Sequence, residues 1–173
     1  MKKGRIIWTG MIVIMIILAG CGSSDEEYVT TYQIAVQKGE EILNNIQGRD
    51  ADSLKEMFCE RTKKTYDLDK EIAQAFEFID GEIISYDKPD KGSQSKSTTP
   101  QETTELSFGG HIDNIKTDTG KNYKIEFYYN HICAEDEEYV GIEFIDIIDE
   151  DTYDPETGYP DEGILWIGDV LED

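Results

Sequence analysis

Between residues 121 and 133 the chain alternates. Tyr123, Ile125, Phe127 and Tyr129 fall on one side, and Lys124, Glu126, Tyr128 and Asn130 on the other. Successive side chains of a strand point to opposite faces, so this period of two specifies a strand with one apolar face and one wet face. The apolar face needs a cover, and the preceding residues supply one. Tyr28, Tyr32, Ala35, Val36, Ile42, Leu43 and Ile46 recur at three- and four-residue spacings, which predicts an amphipathic helix stopped by Gly48. Ser53 and Glu56 fit a capping box, with Asp50 as a rival cap, for a shorter helix presenting Leu54, Met57 and Phe58. A third helix starts near Asp67 or Asp69, presents Leu68, Ile72, Ala75, Phe76 and Ile79, and ends at Gly81.

Further strands are predicted over 82–86, 105–117, 139–148 and 164–167. Asp118-Thr119-Gly120 forms a hairpin turn, and Gly109-Gly110 a bulge or bend. Residues 87–104 hold Pro89, Gly92, Pro100 and many Ser, Thr and Lys residues, and read as a mobile loop. Residues 149–163 read as an acidic loop. Helices first and an antiparallel meander second predict an α+β fold, with N-terminal helices packed in a curved antiparallel sheet.

The N-terminus carries a different message. Lys2, Lys3 and Arg5 precede an apolar run over 6–18, followed by Leu18-Ala19-Gly20-Cys21. The run is shorter than the roughly 20 residues a membrane-spanning helix needs, and Thr9 and Gly10 interrupt it. A basic start, an apolar centre and small residues at the end are the layout of a secretion signal. The last four residues resemble the lipobox of bacterial lipoproteins, in which the bond before the cysteine is cut and the thiol carries a diacylglyceryl group. That resemblance implies a signal peptide over 1–20, a flexible tether over 21–27 and a single domain over 28–173. It implies a location on the extracytoplasmic face of the cell membrane, held by lipid on Cys21. Removing the leader takes the formal charge from −22 to −25 and leaves 153 residues, the length of one domain. So acidic a chain repels phosphates, which excludes a nucleic-acid partner and leaves a cationic protein as a candidate. Cys59 and Cys133 are open to one disulfide or to a pair of free thiols.

The element order resembles the nuclear-transport-factor-2-like fold, and more narrowly a family of Gram-positive bacterial lipoproteins with that fold. The residues that carry the likeness are the lipobox, the segment Asp52-Ser53-Leu54-Lys55-Glu56-Met57-Phe58-Cys59, Ile79-Asp80-Gly81 before a strand, and Tyr139-Val140-Gly141-Ile142. The resemblance implies a cone of curved sheet closed by helices. Such cones can hold a pocket, for which Tyr32, Phe58, Tyr123, Phe127 and Tyr129 are the candidates. It transfers no catalytic residue, cofactor or metal. His111 and His131, with Asp113 or Cys133, lack a diagnostic metal-ligand spacing, and the acidic run from Asp149 lacks the glycine of a calcium loop. No nucleophile elbow or phosphate-cradling loop occurs. The expectation is a lipid-tethered, non-catalytic module that binds a small apolar ligand or a protein. One alternative is an acidic immunity-type protein that neutralises a basic partner. Another is an isomerase- or hydrolase-like enzyme, with Asp113 and Tyr32 or Tyr66 facing a cavity in the cone.

Overall fold

Thr30 caps the first helix by closing a capping box. Its hydroxyl accepts from the Gln33 amide at 3.2 Å, and its own amide donates to Gln33 Oε1 at 2.7 Å. These contacts start α1, Thr31–Gly48. The structure is a computed structural model that describes residues 30–154, 160 and 163–168. The expected leader, Cys21 and tether lie outside the described residues.

Helix α1 buries Ala35, Val36, Gly39, Ile42, Leu43 and Ile46, the expected stripe without its first turn. Helix α2, Ala51–Glu56, is capped by the rival residue: the Asp50 carboxylate accepts from the Ser53 amide at 3.0 Å and from the Ser53 hydroxyl at 2.8 Å. A helix expected to run through Phe58 ends at Glu56. The chain leaves the helical path after Met57 and is extended at Cys59, and α3, Glu60–Thr65, restarts it. Helix α4, Leu68–Phe78, is capped by Asp67.

Six strands follow: β1 Ile83–Ser85, β2 Asp90–Thr98, β3 Thr103–Thr117, β4 Asn122–Cys133, β5 Gly141–Asp149 and β6 Ile164–Ile167. They form one curved antiparallel sheet in the order β1-β3-β4-β5-β6, with β2 paired to the other stretch of the long β3. The α+β architecture therefore has its helices N-terminal to the sheet and packed against one face of it, a cone-like arrangement. The stretch expected as a loop over 87–104 contains β2. It pairs through its backbone with β3 and is almost wholly exposed, so it buries no apolar side chains and shows no alternation in sequence.

The core is the meeting of the two layers. Ile42, Leu54, Leu68 and Ile72 from the helices pack with Ile112, Ile125, Phe127, Ile145 and Ile147 from the sheet. The Gly109-Gly110 pair serves this packing. A Cβ at Gly110 would run into the Phe127 ring, so the glycine makes room for an aromatic side chain across the strand pair. The β3–β4 ladder instead shifts register between Leu106 and Ser107 and between Ile112 and Ile115, where Asn114 takes a positive φ of 55°.

A seam closes the cone on the far side. The Ile142 amide donates to the Met57 carbonyl at 2.9 Å, and the Cys59 amide donates to the Ile142 carbonyl at 2.8 Å. Phe58 thus forms a parallel bridge with Ile142 and enters the core. Gly141 lies against this seam at φ 134°, and a Cβ there would come within 2.7 Å of the Cys59 backbone nitrogen. Gly141→Ala should therefore destabilise the chain by at least about 2 kcal/mol, through backbone strain and steric conflict together. Gly48→Ala, where a new Cβ meets nothing within 4 Å, should stabilise it by up to about 1 kcal/mol. Urea unfolding midpoints at unchanged slope measure both.

Candidate functional site

Three of the five candidate pocket residues fill the cone. Phe58, Tyr123 and Phe127 are buried at 1–2% exposure, within the same apolar cluster as the helix side chains. Tyr123 is fastened as well as buried. Its hydroxyl donates to the Phe78 carbonyl at 3.1 Å and accepts from the Asp80 amide at 3.0 Å. Tyr129 is half-buried, 5.4 Å from the Phe108 ring, with Lys38 Nζ 5.7 Å from its centroid. Tyr32 stands apart on the first turn of α1, 45% exposed, with Lys88 Nζ 6.0 Å from its ring. The five do not converge on a cavity, because the face that could have lined one is the face the helices cover.

The other sequence candidates also separate. Asp113 sits on the outward side of the sheet, with Lys124 Nζ at 3.6 Å and His111 Nε2 at 3.5 Å, and does not meet Tyr32 or Tyr66 across a cavity. His131 leans toward Tyr129 instead, so the two histidines serve different neighbours. Of the two alternatives open in the sequence, Cys59 and Cys133 are present here as free thiols. Cys59 is buried at the start of α3 with its Sγ 3.2 Å from Thr62 Oγ1, while Cys133 ends β4 opposite Glu105. In the acidic run, Lys121 Nζ lies 2.9 Å from Asp149 and 3.7 Å from Asp151. A hydrogen bond from Asn122 holds the Asp151 carboxyl below its ordinary range. Burial pushes Glu150 up, and the nearby Asp113 charge adds to it. Among the described residues, no group of three or more His, Cys, Asp or Glu is placed to hold a metal ion.

The surface carries clefts that the sequence reading did not assign. One, of about 660 Å³, lies where the C-terminal ends of α1 and α4 meet β1, with Ile46, Phe76, Ile79 and Ile83 beside Arg49 and Glu82. Another, of about 400 Å³, lies along α3 and is aromatic: Tyr66, Tyr128, Tyr139 and Phe144 line it with Arg61, Thr62 and Glu143. Its residues come from α3 and its two flanking residues, β4, β5, the 3₁₀ turn Glu137–Tyr139 and Gly168 just after β6. The seam at Ile142 brings these pieces together by docking residues 57–59 on β5.

The walls of this second cleft are held firmly. Tyr128 and Phe144 face each other across the β4–β5 pair, with ring centroids 5.9 Å apart and planes 7° from parallel. The Tyr128 hydroxyl is 2.7 Å from Ser107 Oγ. Thr62 Oγ1 donates to the Glu143 carbonyl at 3.0 Å, and Asn130 Nδ2 donates to Glu143 Oε2 at 3.1 Å. Arg61 lays its guanidinium carbon 4.5 Å from the Tyr139 ring centroid. The sequence held one sign of this cleft: Tyr128 is the aromatic residue on the otherwise polar face of the β4 alternation. Pocket residues gathered from segments this far apart in the chain leave no common spacing to read.

Residues 41–150 match the sequence profile of a domain of unknown function, DUF5104, and the match spans well over half of the chain, which therefore belongs to that family. A search of curated proteins found no match.

The role of Tyr123 as a fastened core residue is open to a direct check. Tyr123→Phe leaves the Asp80 amide and the Phe78 carbonyl without their partner and should cost about 1–3 kcal/mol of unfolding free energy. Burial, opposed by the Asp80 hydrogen bond, raises the phenol above its ordinary range. Stability from this group is therefore complete below the unfolded tyrosine pKa of about 10 and is lost as pH rises through the higher folded value. Chemical denaturation from pH 8 to 11 should show the wild-type advantage over the Phe variant shrinking along that course.

Proposed function

We propose that this DUF5104 chain is a lipid-anchored protein of the outer face of the cytoplasmic membrane. On this reading its nuclear-transport-factor-2-like cone is a non-catalytic binding module that works through its exterior. The observation that carries the module reading is the packed interior of the cone. Where an enzyme of this shape would need a cavity with an acid facing apolar walls, Tyr123, Ile125, Phe127, Ile145 and Ile147 meet the helices directly. The buried carboxylates Asp146 and Asp149 lie on strand β5, with Asp146 on its outward side and Asp149 at its end, where Lys121 reaches it.

The anchor reading is supported by the basic, apolar and small-residue order that ends at Cys21. Among the described residues no helix is long and apolar enough to cross a membrane. Eight residues separate Cys21 from Thr30, a reach of roughly 30 Å when extended, enough to hold the domain clear of the head groups. Two acyl chains, each buried CH₂ contributing about 0.8 kcal/mol, hold stably where one would not.

Metabolic labelling with a tagged fatty acid tests the anchor. The wild-type chain should carry label and sediment with membranes, and Cys21→Ser should lose both properties. Label retained by the serine variant overturns the reading.

A further inference from the structure

We infer that the aromatic cleft beside α3 binds a small organic cation, with a quaternary ammonium or guanidinium head seated against Tyr66, Tyr128 and Phe144 and paired with Glu143. This deepens the proposal of an exterior binding module and rests on it.

Four observations converge. First, a volume of about 400 Å³ falls within the range of small-molecule sites, and four of the residues lining it are aromatic. Aromatic faces carry negative potential and attract cations, most strongly those whose hydration shell is weak. Second, a guanidinium already lies on this wall: Arg61 sits over Tyr139 at 4.5 Å. It takes the Tyr139 ring, and Tyr66, Tyr128 and Phe144 line the same cleft. Third, Glu143 brings a carboxylate into the cleft. Asn130 fixes its Oε2, while its Oε1 has no partner among the described residues. A ligand cation can pair with Oε1, and a charge-assisted contact of this kind is stronger than a neutral one. Fourth, the surrounding charge favours it. The chain carries a formal charge of −22. The two lysines of α3 are already neutralised, Lys63 by Glu56 and Glu60, and Lys64 by Glu138. The remaining field draws cations toward the cleft.

The site is also built in advance. Ser107 holds the Tyr128 hydroxyl, the stacked Phe144 holds its ring, and Thr62 ties α3 to the β5 backbone beside Glu143. A ligand meets walls that need little ordering, which limits the entropy lost on binding.

Titration calorimetry on the full chain, purified in non-ionic detergent, tests the site, using choline as one probe and acetyl-arginine amide as the other. Saturable binding of at least one is expected, and which one binds identifies the preferred head group. The uncharged isostere 3,3-dimethylbutanol should not bind. Glu143→Gln should weaken binding about tenfold. Arg61→Ala should tighten it by removing a like charge from the cleft lining. Glu40→Gln, the same change of charge on an exposed turn of α1, should leave it within twofold. Tyr128→Leu, checked for unchanged cooperative unfolding, should also weaken it. Failure of both cations to bind, equal binding of the uncharged isostere, or equal weakening by Glu40→Gln overturns the inference. These readouts do not depend on Cys21. Absent cation binding with intact lipid labelling defeats the cleft alone, and absent labelling with intact cation binding defeats the anchor alone.

Discussion

Two hydrogen bonds at Ile142 hold the architecture together. The amide and carbonyl of this residue engage Met57 and Cys59, and the connection between α2 and α3 thereby becomes a short extra strand on the edge of β5. Strand β6 pairs with β5 only from Ile145 to Ile148, so the connection takes up the edge where β6 stops. Phe58 is pinned into the core by the same contact, and α3 is set beside Tyr128 and Phe144. Backbone groups left unpaired at a buried edge would be costly, and here they are paired by a segment that also carries a core side chain. Gly141 is part of the arrangement because only a residue without a side chain lets the two backbones approach so closely at a positive φ.

The filled cone shifts attention from the inside of the fold to its outside. Helices α1, α2 and α4 consume the apolar face of the sheet, and glycine at position 110 lets the Phe127 ring close the space between strands. What remains for recognition is the outward face and the junctions between elements. There the chain places tyrosines, fixed carboxylates and an arginine over an aromatic ring, chemistry suited to polar and charged ligands. The apolar side chains of Ile46, Phe76, Ile79 and Ile83, at the edge of the core, line the larger of the two clefts described.

Much of the fold was legible because burial leaves a period in the sequence. Residues 121–133 alternate because one face meets helices and the other meets water, and β4 spans Asn122–Cys133 accordingly. The stripes of α1 and α4 were readable for the same reason. Two features were not. Strand β2 buries almost nothing, so its residues carry no pattern, and its strand character comes from the backbone of β3. The end of α2 is decided by Ile142, more than eighty residues away in sequence, which outweighs the local helical spacing of Leu54, Met57 and Phe58. Asp50 and Ser53 were rival caps on paper. In three dimensions they cooperate, the serine serving as donor to the aspartate. The aromatic cleft was hidden because Tyr66, Tyr128, Tyr139 and Phe144 become neighbours only after the seam forms.

Among the described residues, the nine-residue strand β2 pairs with β3 alone, and an edge of that kind invites a second chain to zip onto it. Lys91 and Lys96 and a run of serines and threonines make this edge a poor template, and the strong like charge of the whole chain adds repulsion between copies. For a protein tethered as proposed, this matters more than it would in dilute solution. Copies confined to a plane collide far more often than copies free in volume, and a greasy rim would turn those collisions into irreversible clumps. The polar rim of β2 lets a crowded carpet of these molecules remain a set of separate, mobile individuals.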